Sequence, residues 1–489
     1  MTGIPPTTPP SGPPPTWPGA PPPAGPRLQR LSVELEAVLR TGWGRGALAA
    51  VAVFAVLFVL NLMVAAVQQS GPNAVEFAGQ QIQVPEASTV DLLQSALAAL
   101  YFWHGVGASA SFGPIPAQAG FPGDFDVSFS VALILGTFVA LVALFLAGRW
   151  AGGRNEHPRW AGLVRGLQVA LPYGLLAVVL SPLASAEQAI PGIPETGVVP
   201  GGGPSVEVEL SLLGAFAMPF LFALVAAGAG ALGHAARTAP GLFRRVAGAM
   251  AGGWRMLWLS VALSVVGFLV VMAVNPDPTR AYFEFVSQDG ALGVVRGVLL
   301  TAFLLGNIGV YVTAAAAGSA IGVSALGGSC SLISYLTFPV GTRENVPGGA
   351  EGFADPCGAL PLEFGAAPAP YLLFLLVPVV ATVLGGRLAA RRAEARTVSD
   401  GATVGAAAGF VFALLVLGFV WLSDLSYEVA FFFTVEASFG PVPVLTFFLI
   451  LVWGLVGGAL GGWLGSRGAR EPVGPTGFQQ EPGTTTGPG

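Results

Sequence analysis

The chain contains no lysine and few charged residues of any kind. Charged residues make up 10% of its 489 residues, and all 21 basic residues are arginine. Soluble globular proteins carry about 25% charged residues. The hydrophobic fraction is 53% and the mean hydropathy is +0.72. This composition excludes a water-soluble globular protein and predicts an all-α polytopic membrane protein.

Cysteine and histidine are also scarce, with two and three residues. These numbers are too small for a zinc or iron–sulfur site built from Cys and His alone. The net charge of −5 leaves no basic surface for nucleic acid. The sequence contains neither HExxH nor a glycine-rich phosphate loop. We therefore expect no metal, no cofactor, no nucleic-acid partner and no enzymatic activity.

Long intervals without Asp, Glu or Arg divide the chain. A helix needs about 20 apolar residues to cross the hydrocarbon core of a bilayer, and only a helix satisfies the backbone of such a segment in lipid. The intervals long enough for this are 46–75, 127–148, 166–186, 210–236, 256–276, 297–342, 364–386, 401–423 and 437–466. The lipid bilayer is therefore the first expected partner.

The interval 297–342 is too long for one crossing, since it would measure about 69 Å as a helix. Arginine is enriched on the cytoplasmic side of membrane proteins. If 297–342 crosses an even number of times, only Arg280, Arg296 and Arg343 lie outside, and both termini are cytoplasmic.

Two arrangements satisfy this parity. The favoured one is a helical hairpin near 294–314 and 318–339, which gives about ten transmembrane helices. The alternative has eight transmembrane helices plus two re-entrant or interfacial outer elements. The outer element of the first half is 90–113, which must begin and end outside, and its counterpart in the second half is the start of the long interval at 293–313.

The two halves of the chain share an order of segments. A span ends in Gly148-Arg149 in the first half and in Gly386-Arg387 in the second. These matches indicate a parallel tandem repeat of 45–237 and 250–467, although Ala/Gly-rich helices that end in Arg also look alike by chance.

Other segments flank or interrupt this membrane region. Residues 1–27 are predicted to be a Pro-rich disordered cytoplasmic tail, and residues 28–44 a juxtamembrane amphipathic helix. Residues 341–367 form an outer loop, and residues 468–489 a second disordered cytoplasmic tail. The two cysteines, Cys330 and Cys357, form a disulfide if both lie near the outer face, and two free thiols otherwise.

Four polar residues stand out in the apolar segments, and they are candidates for lining a cavity or for packing helices together: Asn61, His104, Asn307 and Tyr311. Asn307 lies between Gly306 and Gly309, where it can bond to another helix. No Asp or Glu lies in the middle of a span. This argues against a carrier that couples protons or sodium ions through a buried carboxylate.

The leading functional interpretation is a permease- or channel-like membrane component. The alternative is a non-transporting structural or regulatory envelope protein that binds other membrane proteins. A continuous wet cavity lined by Asn307, Tyr311 and residues 90–113 would favour the first, and a solidly packed core the second. Other membrane proteins or a second copy of the chain are the expected protein partners, and the sequence indicates no substrate. Exclusive use of Arg with abundant Ala, Gly and Pro is typical of a bacterium with a GC-rich genome, so we expect the cytoplasmic (plasma) membrane.

Overall fold

A computed structural model describes most of the membrane region. The described residues are 36, 40–69, 74–77, 80–83, 88–115, 123–130, 132–152, 161–189, 205–238, 241–274, 277, 280, 284, 290–325, 328–333, 373–430 and 434–467. The predicted tails 1–27 and 468–489 and the predicted loop 341–367 lie outside these residues, as does most of the predicted helix 28–44.

Ten helices account for most of the described residues. They are α1 (Trp43–Gln69), α2 (Thr89–Trp103), α3 (Ile134–Gly152), α4 (Ala161–Ala184), α5 (Leu212–Thr238), α6 (Leu242–Val274), α7 (Gly290–Ala316), α8 (Leu376–Arg392), α9 (Val398–Ser423) and α10 (Pro443–Ser466). Nine of the helices in this part of the chain are long and apolar enough to cross a membrane, and α2, with 15 residues, is the exception. The prediction of a helical multi-pass membrane protein is confirmed.

The predicted second helix of the hairpin, near 318–339, is wrong. Helix α7 ends at Ala316, and Gly318 follows with a φ of +100°, which stops the helix. Strands β7 (Ile321–Ala325) and β8 (Gly328–Ile333) come next. Their backbone groups pair with other strands, and the apolar run itself does not reveal such distant partners.

The sheet that contains these strands was not foreseen from the sequence. Its other strands are β3 (Ala108–Ile115), β4 (Gly123–Ser130), β5 (Ala186–Ala189), β6 (Ser205–Leu210), β9 (Leu425–Ala430) and β10 (Thr434–Pro441). All eight are antiparallel, in the order β5-β6-β3-β4-β9-β10-β7-β8. A separate hairpin is formed by β1 (Ala74–Phe77) and β2 (Gln80–Gln83).

The large sheet gathers one end of the helices. Its hairpins connect α2 to α3, α4 to α5 and α9 to α10, and the fourth hairpin follows α7. Because the strands belong to one sheet, the starts of α3, α5 and α10 and the ends of α4 and α9 lie at the same end of the bundle, which we call the sheet end. The connections from α5 to α6 and from α8 to α9 lie at the opposite end.

Glycine lets neighbouring helices pack backbone against backbone. A Cβ atom on Gly409 of α9 would lie 1.9 Å from the carbonyl oxygen of Gly454 in α10, and one on Gly148 of α3 would lie 2.0 Å from that of Ala227 in α5. No side chain fits in either gap. The buried apolar side chains form two clusters, one from α1–α5 and the other mainly from α6–α10.

Candidate functional site

Asn307 ties helix α7 to the start of helix α3. Its Nδ2 donates to the carbonyl oxygen of Ala132 at 2.9 Å, and its Oδ1 accepts from the backbone N–H of Ile134 at 3.0 Å. Ile134 is the first residue of α3, where the backbone N–H has no partner within the helix. Asn307 is only 5% exposed. Its side chain therefore caps one helix from another, and both of its polar atoms are engaged.

Tyr311, one turn further along α7, ties that helix to the sheet end of the bundle. Its hydroxyl donates to the carbonyl oxygens of Ser423, the last residue of α9, and of Phe439 in β10. The rings of Tyr311 and Phe439 pack edge to face, with 5.5 Å between their centroids. The hydroxyl and the ring of Tyr311 therefore both attach α7 to the sheet end of the bundle.

His104 closes helix α2 and is fully buried. Its Nδ1 lies 2.7 Å from the carbonyl oxygen of Leu100, and its Nε2 lies 3.0 Å from the hydroxyl of Tyr173 in α4. Because a carbonyl oxygen can only accept, Nδ1 carries a proton, and in the neutral ring Nε2 accepts from the hydroxyl of Tyr173. Both ring nitrogens of His104 are therefore engaged.

Two contacts of α2 show where its start and its end lie along α4. Near its start, Gln94 donates to the carbonyl oxygen of Ser185, directly after the sheet end of α4. At its end, His104 meets Tyr173, which lies about three turns, or roughly 16 Å, before the sheet end of α4. Measured along α4, the end of α2 therefore lies about 16 Å below the sheet end, whereas Thr137 and Leu422 place it beside the first turn of α3 and the last turn of α9. Strand β3 then returns to the sheet.

Helix α7 follows a similar course in the second half. Near its start, the Nε of Arg296 donates to the carbonyl oxygen of Val67 at the end of α1. Just after its end, the carbonyl oxygen of Ala317 accepts from the indole N–H of Trp453. Trp453 lies about 15 Å along α10 from the sheet end, so α7 also ends inside the bundle.

The remaining predicted residues lie elsewhere. Asn61 is fully buried in α1, where its Nδ2 donates to the carbonyl oxygen of Leu57 at 2.9 Å. Among the described residues, its Oδ1 has no hydrogen-bond partner. Cys330 lies in β8, opposite Val323 of β7. Cys357 lies outside the described residues, so the disulfide stays a prediction.

The start of α3 is where the two halves of the chain meet. Thr137 of α3 donates to the carbonyl oxygen of Trp103 at 2.6 Å, and the backbone N–H of Ala132 donates to the carbonyl oxygen of Leu422 in α9 at 3.0 Å. Together with the cap from Asn307, these bonds join the end of α2, the start of α3, α7 and the end of α9. We call this junction the seam.

A cavity of about 190 Å³ lies at the seam, and we call it the seam pocket. Residues from both halves line it: Gly105, Ser130, Trp421, Leu422, Asp424 and Ser426. Ser130 of β4 and Ser426 of β9 are Cα partners in the strand pair that joins the two halves of the sheet. The pocket therefore lies beneath the centre of the sheet, where the halves come together.

Asp424 supplies the charged group of the seam pocket. It is half-buried directly after α9, and burial raises the pKa of its carboxyl above the ordinary value. A Cβ atom on Gly440 would lie 2.6 Å from Oδ1 of Asp424, so the carboxylate packs against the backbone of β10. The ion pairs formed by the described residues do not include Asp424. Across those same residues, no group of three or more His, Cys, Asp or Glu is placed to hold a metal ion.

The sequence marks Asp424 only as the boundary of an apolar interval and assigns no role to Thr137 or Tyr173. An acid directly after a long apolar run was the available signal for Asp424, because such a residue lies at the membrane surface. A lone Tyr inside an apolar interval was a similar signal for Tyr173. Nothing in the sequence relates Ser130 to Ser426, which only the sheet brings together.

In comparisons with known protein families, with curated proteins and with solved structures, nothing matches this chain.

Proposed function

We propose that eight of the helices cross the membrane, and that α2 and α7 are re-entrant elements that enter from the sheet end and return to it. The contacts of His104 with α4 and of Ala317 with α10, each below the sheet end of the contacted helix, support an entry into the bundle for both elements. Each element is followed by a strand that leads back to the sheet. With arginine held inside, the sheet then faces outward and both termini lie in the cytoplasm. We place the protein in the cytoplasmic membrane of a bacterium.

We also propose that 45–237 and 250–467 are copies of one unit in the same orientation. The turn after α2 and the turn after α7 support this. In the first, Val106 N–H donates to Tyr101 C=O around Gly105, and in the second Ser319 N–H donates to Ala314 C=O around Gly318. The same shift along the sequence carries Tyr101, Gly105 and Val106 onto Ala314, Gly318 and Ser319.

The pairing of the strands also supports two copies of one unit. Ala108 pairs with Leu210 in the first half, and Ile321 pairs with Pro441 in the second. The shift that carries Gly105 onto Gly318 also carries Ala108 onto Ile321 but not Leu210 onto Pro441; these two partners correspond because each lies two residues before the next helix, α5 or α10. Chance likeness of Ala/Gly-rich helices would not extend to the pairing of strands.

For the whole chain, we propose a non-transporting structural or regulatory role, in which the membrane helices hold an outward-facing sheet that binds other membrane proteins. One observation carries this. Three of the four predicted cavity candidates, Asn307, Tyr311 and His104, have their polar atoms engaged with backbone or with a buried partner. Close backbone contacts between helices, such as that of Gly409 with Gly454, also support a solidly packed bundle of membrane helices.

Permeability measurements test this function. The full-length protein is reconstituted into liposomes, and the passage of K⁺, Cl⁻ and small neutral solutes is followed by stopped-flow light scattering. We expect the same permeability as in protein-free liposomes. A permeability that increases with the amount of protein, and that Asn307→Leu changes, would overturn the proposal in favour of a channel.

Cysteine labelling in intact cells tests the orientation. In a Cys330→Ser, Cys357→Ser background, single cysteines replace Gly349 and Ala393. A membrane-impermeant maleimide should label the first position and not the second. Labelling of the second position from outside would show that the orientation is wrong, whatever the permeability measurements give.

A further inference from the structure

We propose that the seam pocket binds a singly charged organic cation, an alkylammonium or a guanidinium group. The inference rests on the proposed function, because a ligand can enter the pocket only from the side of the membrane that the sheet faces. Its basis is the charge, the lining and the size of the pocket.

The charge of the pocket is negative. Asp424 has no basic partner among the ion pairs of the described residues. It also follows the last residue of α9, and Gly105, another lining residue, follows the C-cap of α2. The C-terminus of a helix carries a partial negative charge. Two helix C-termini and one carboxylate therefore converge on the same cavity, and all three favour a cation.

The lining selects an organic cation over a metal ion. Ca²⁺ and Mg²⁺ require about six or more oxygen ligands, whereas the side chains here offer one carboxylate and the hydroxyls of Ser130 and Ser426. Trp421 adds an indole, whose face attracts ammonium and guanidinium groups. Leu422 adds apolar surface. A carboxylate, an indole and two hydroxyls suit a cation that combines N–H donors with a carbon body.

The size of the pocket limits the ligand to a small group. A cavity of about 150 Å³ in another protein accommodates benzene, and the seam pocket measures about 190 Å³. A methylguanidinium or ethanolamine group fits such a volume. A larger cation can place only its charged end there.

Binding of methylguanidinium to the purified full-length protein tests the proposal. Titration calorimetry and Trp fluorescence report binding, and urea serves as the neutral ligand of similar shape. We expect methylguanidinium to bind and urea not to bind. Asp424→Asn should weaken binding about tenfold or more, because a hydrogen bond to a charged group contributes about 1.5–3 kcal/mol. Trp421→Leu should weaken it about two- to fivefold.

Glu428→Gln is the matched control, because Glu428 is an exposed acid on β9 outside the pocket lining. It should leave the affinity unchanged. Thermal melting verifies that Asp424→Asn is folded. Equal binding of urea, equal affinity of the folded Asp424→Asn variant or no binding at all would overturn the proposal.

The same cationic group could come from solution or from a lipid headgroup, and nanodiscs distinguish these sources. If phosphatidylethanolamine occupies the pocket, methylguanidinium should bind more weakly in nanodiscs of that lipid than in phosphatidylglycerol. Equal affinity in both would indicate a soluble ligand, and either result keeps the site. If methylguanidinium does not bind and the liposomes stay impermeable, the proposed site is wrong and the proposed function stands. If methylguanidinium binds and permeability increases with the amount of protein, the site stands and the proposed function is wrong.

Discussion

Gly105 and Gly318 occupy the same position in two turns of the same kind, one after α2 and one after α7. Their φ angles are +70° and +100°, in the region that favours glycine. In each turn the glycine N–H donates to a carbonyl oxygen three residues earlier, and the next N–H reaches back five residues. This is the Schellman arrangement that ends many helices. It stops each helix inside the bundle and turns the chain back to the sheet.

Alanine at either glycine should destabilise the protein. A left-handed backbone costs a residue with a Cβ atom about 1–2 kcal/mol. Gly105→Ala adds a steric cost, because a Cβ atom on Gly105 would lie 2.6 Å from Cδ2 of Leu422. Thermal melting in detergent measures both effects. Gly418→Ala is the control, since a Cβ atom there meets nothing within 4 Å and should be tolerated; equal melting temperatures for all three variants would contradict the prediction.

Asn307→Leu should destabilise the protein by about 2–5 kcal/mol, because it leaves the N–H of Ile134 and the carbonyl oxygen of Ala132 buried without their partner. Asn307→Asp keeps the acceptor for Ile134 but loses the donor to Ala132, so it should also be destabilised. Leu300→Ala, on an exposed face of the same helix, should have a much smaller effect. Chemical denaturation compares the three variants, and an Asn307→Leu variant as stable as Leu300→Ala would refute the role of Asn307 as a cap.

Glu394 allows backbone strain to be separated from an ion pair. It has a φ of +52°, and its carboxylate pairs with Arg244 near the start of α6. Because the Glu394 side chain is 70% exposed, the pair should contribute less than about 1 kcal/mol. Glu394→Gly and Glu394→Ala both lose the pair, but only the first relieves the strain. We expect the Gly variant to be more stable than the Ala variant by about 1 kcal/mol, and the opposite order would contradict this.

Asp424 should make the stability of the fold depend on pH. Burial raises the pKa of its carboxyl, so the folded state holds this proton at pH values where the unfolded state has released it. The contribution of Asp424 to stability is therefore most favourable near pH 4 and decreases as the pH rises through the raised pKa. Relative to Asp424→Asn, the wild-type melting temperature should fall as the pH rises above the ordinary pKa of an aspartate carboxyl, about 4. Glu428→Gln, at an exposed position, should not reproduce this trend, and a difference that is constant with pH would refute it.

The helices were predictable, and the sheet was not. An apolar run such as 401–423 identifies a membrane helix by itself, because the bilayer acts on each segment separately. The strands are short, and residues such as Gly322 and Ser324 pair with Gly440 and Ser438, more than a hundred residues away. A strand of this kind has no local signature strong enough to distinguish it from the end of an apolar helix.

The candidate site was predictable only in part. Asn307, Tyr311 and His104 stand out as polar groups among apolar residues, because burying them unpaired would be costly. Their partners are backbone groups, such as the carbonyl oxygens of Ala132 and Leu100, and the sequence does not show which backbone groups lie nearby. Asp424 could be placed at a membrane surface, but not in a pocket.

The low charge and the long apolar runs alone determined that this chain is a membrane protein, because helices of this composition are stable in lipid and not in water. Only the tertiary structure decided that the chain after Ala316 forms strands of a sheet instead of a second apolar helix. The reason is physical: hydrophobicity is a property that each segment carries alone, whereas backbone pairing and the pocket beneath Ser130 and Ser426 exist only when distant segments meet.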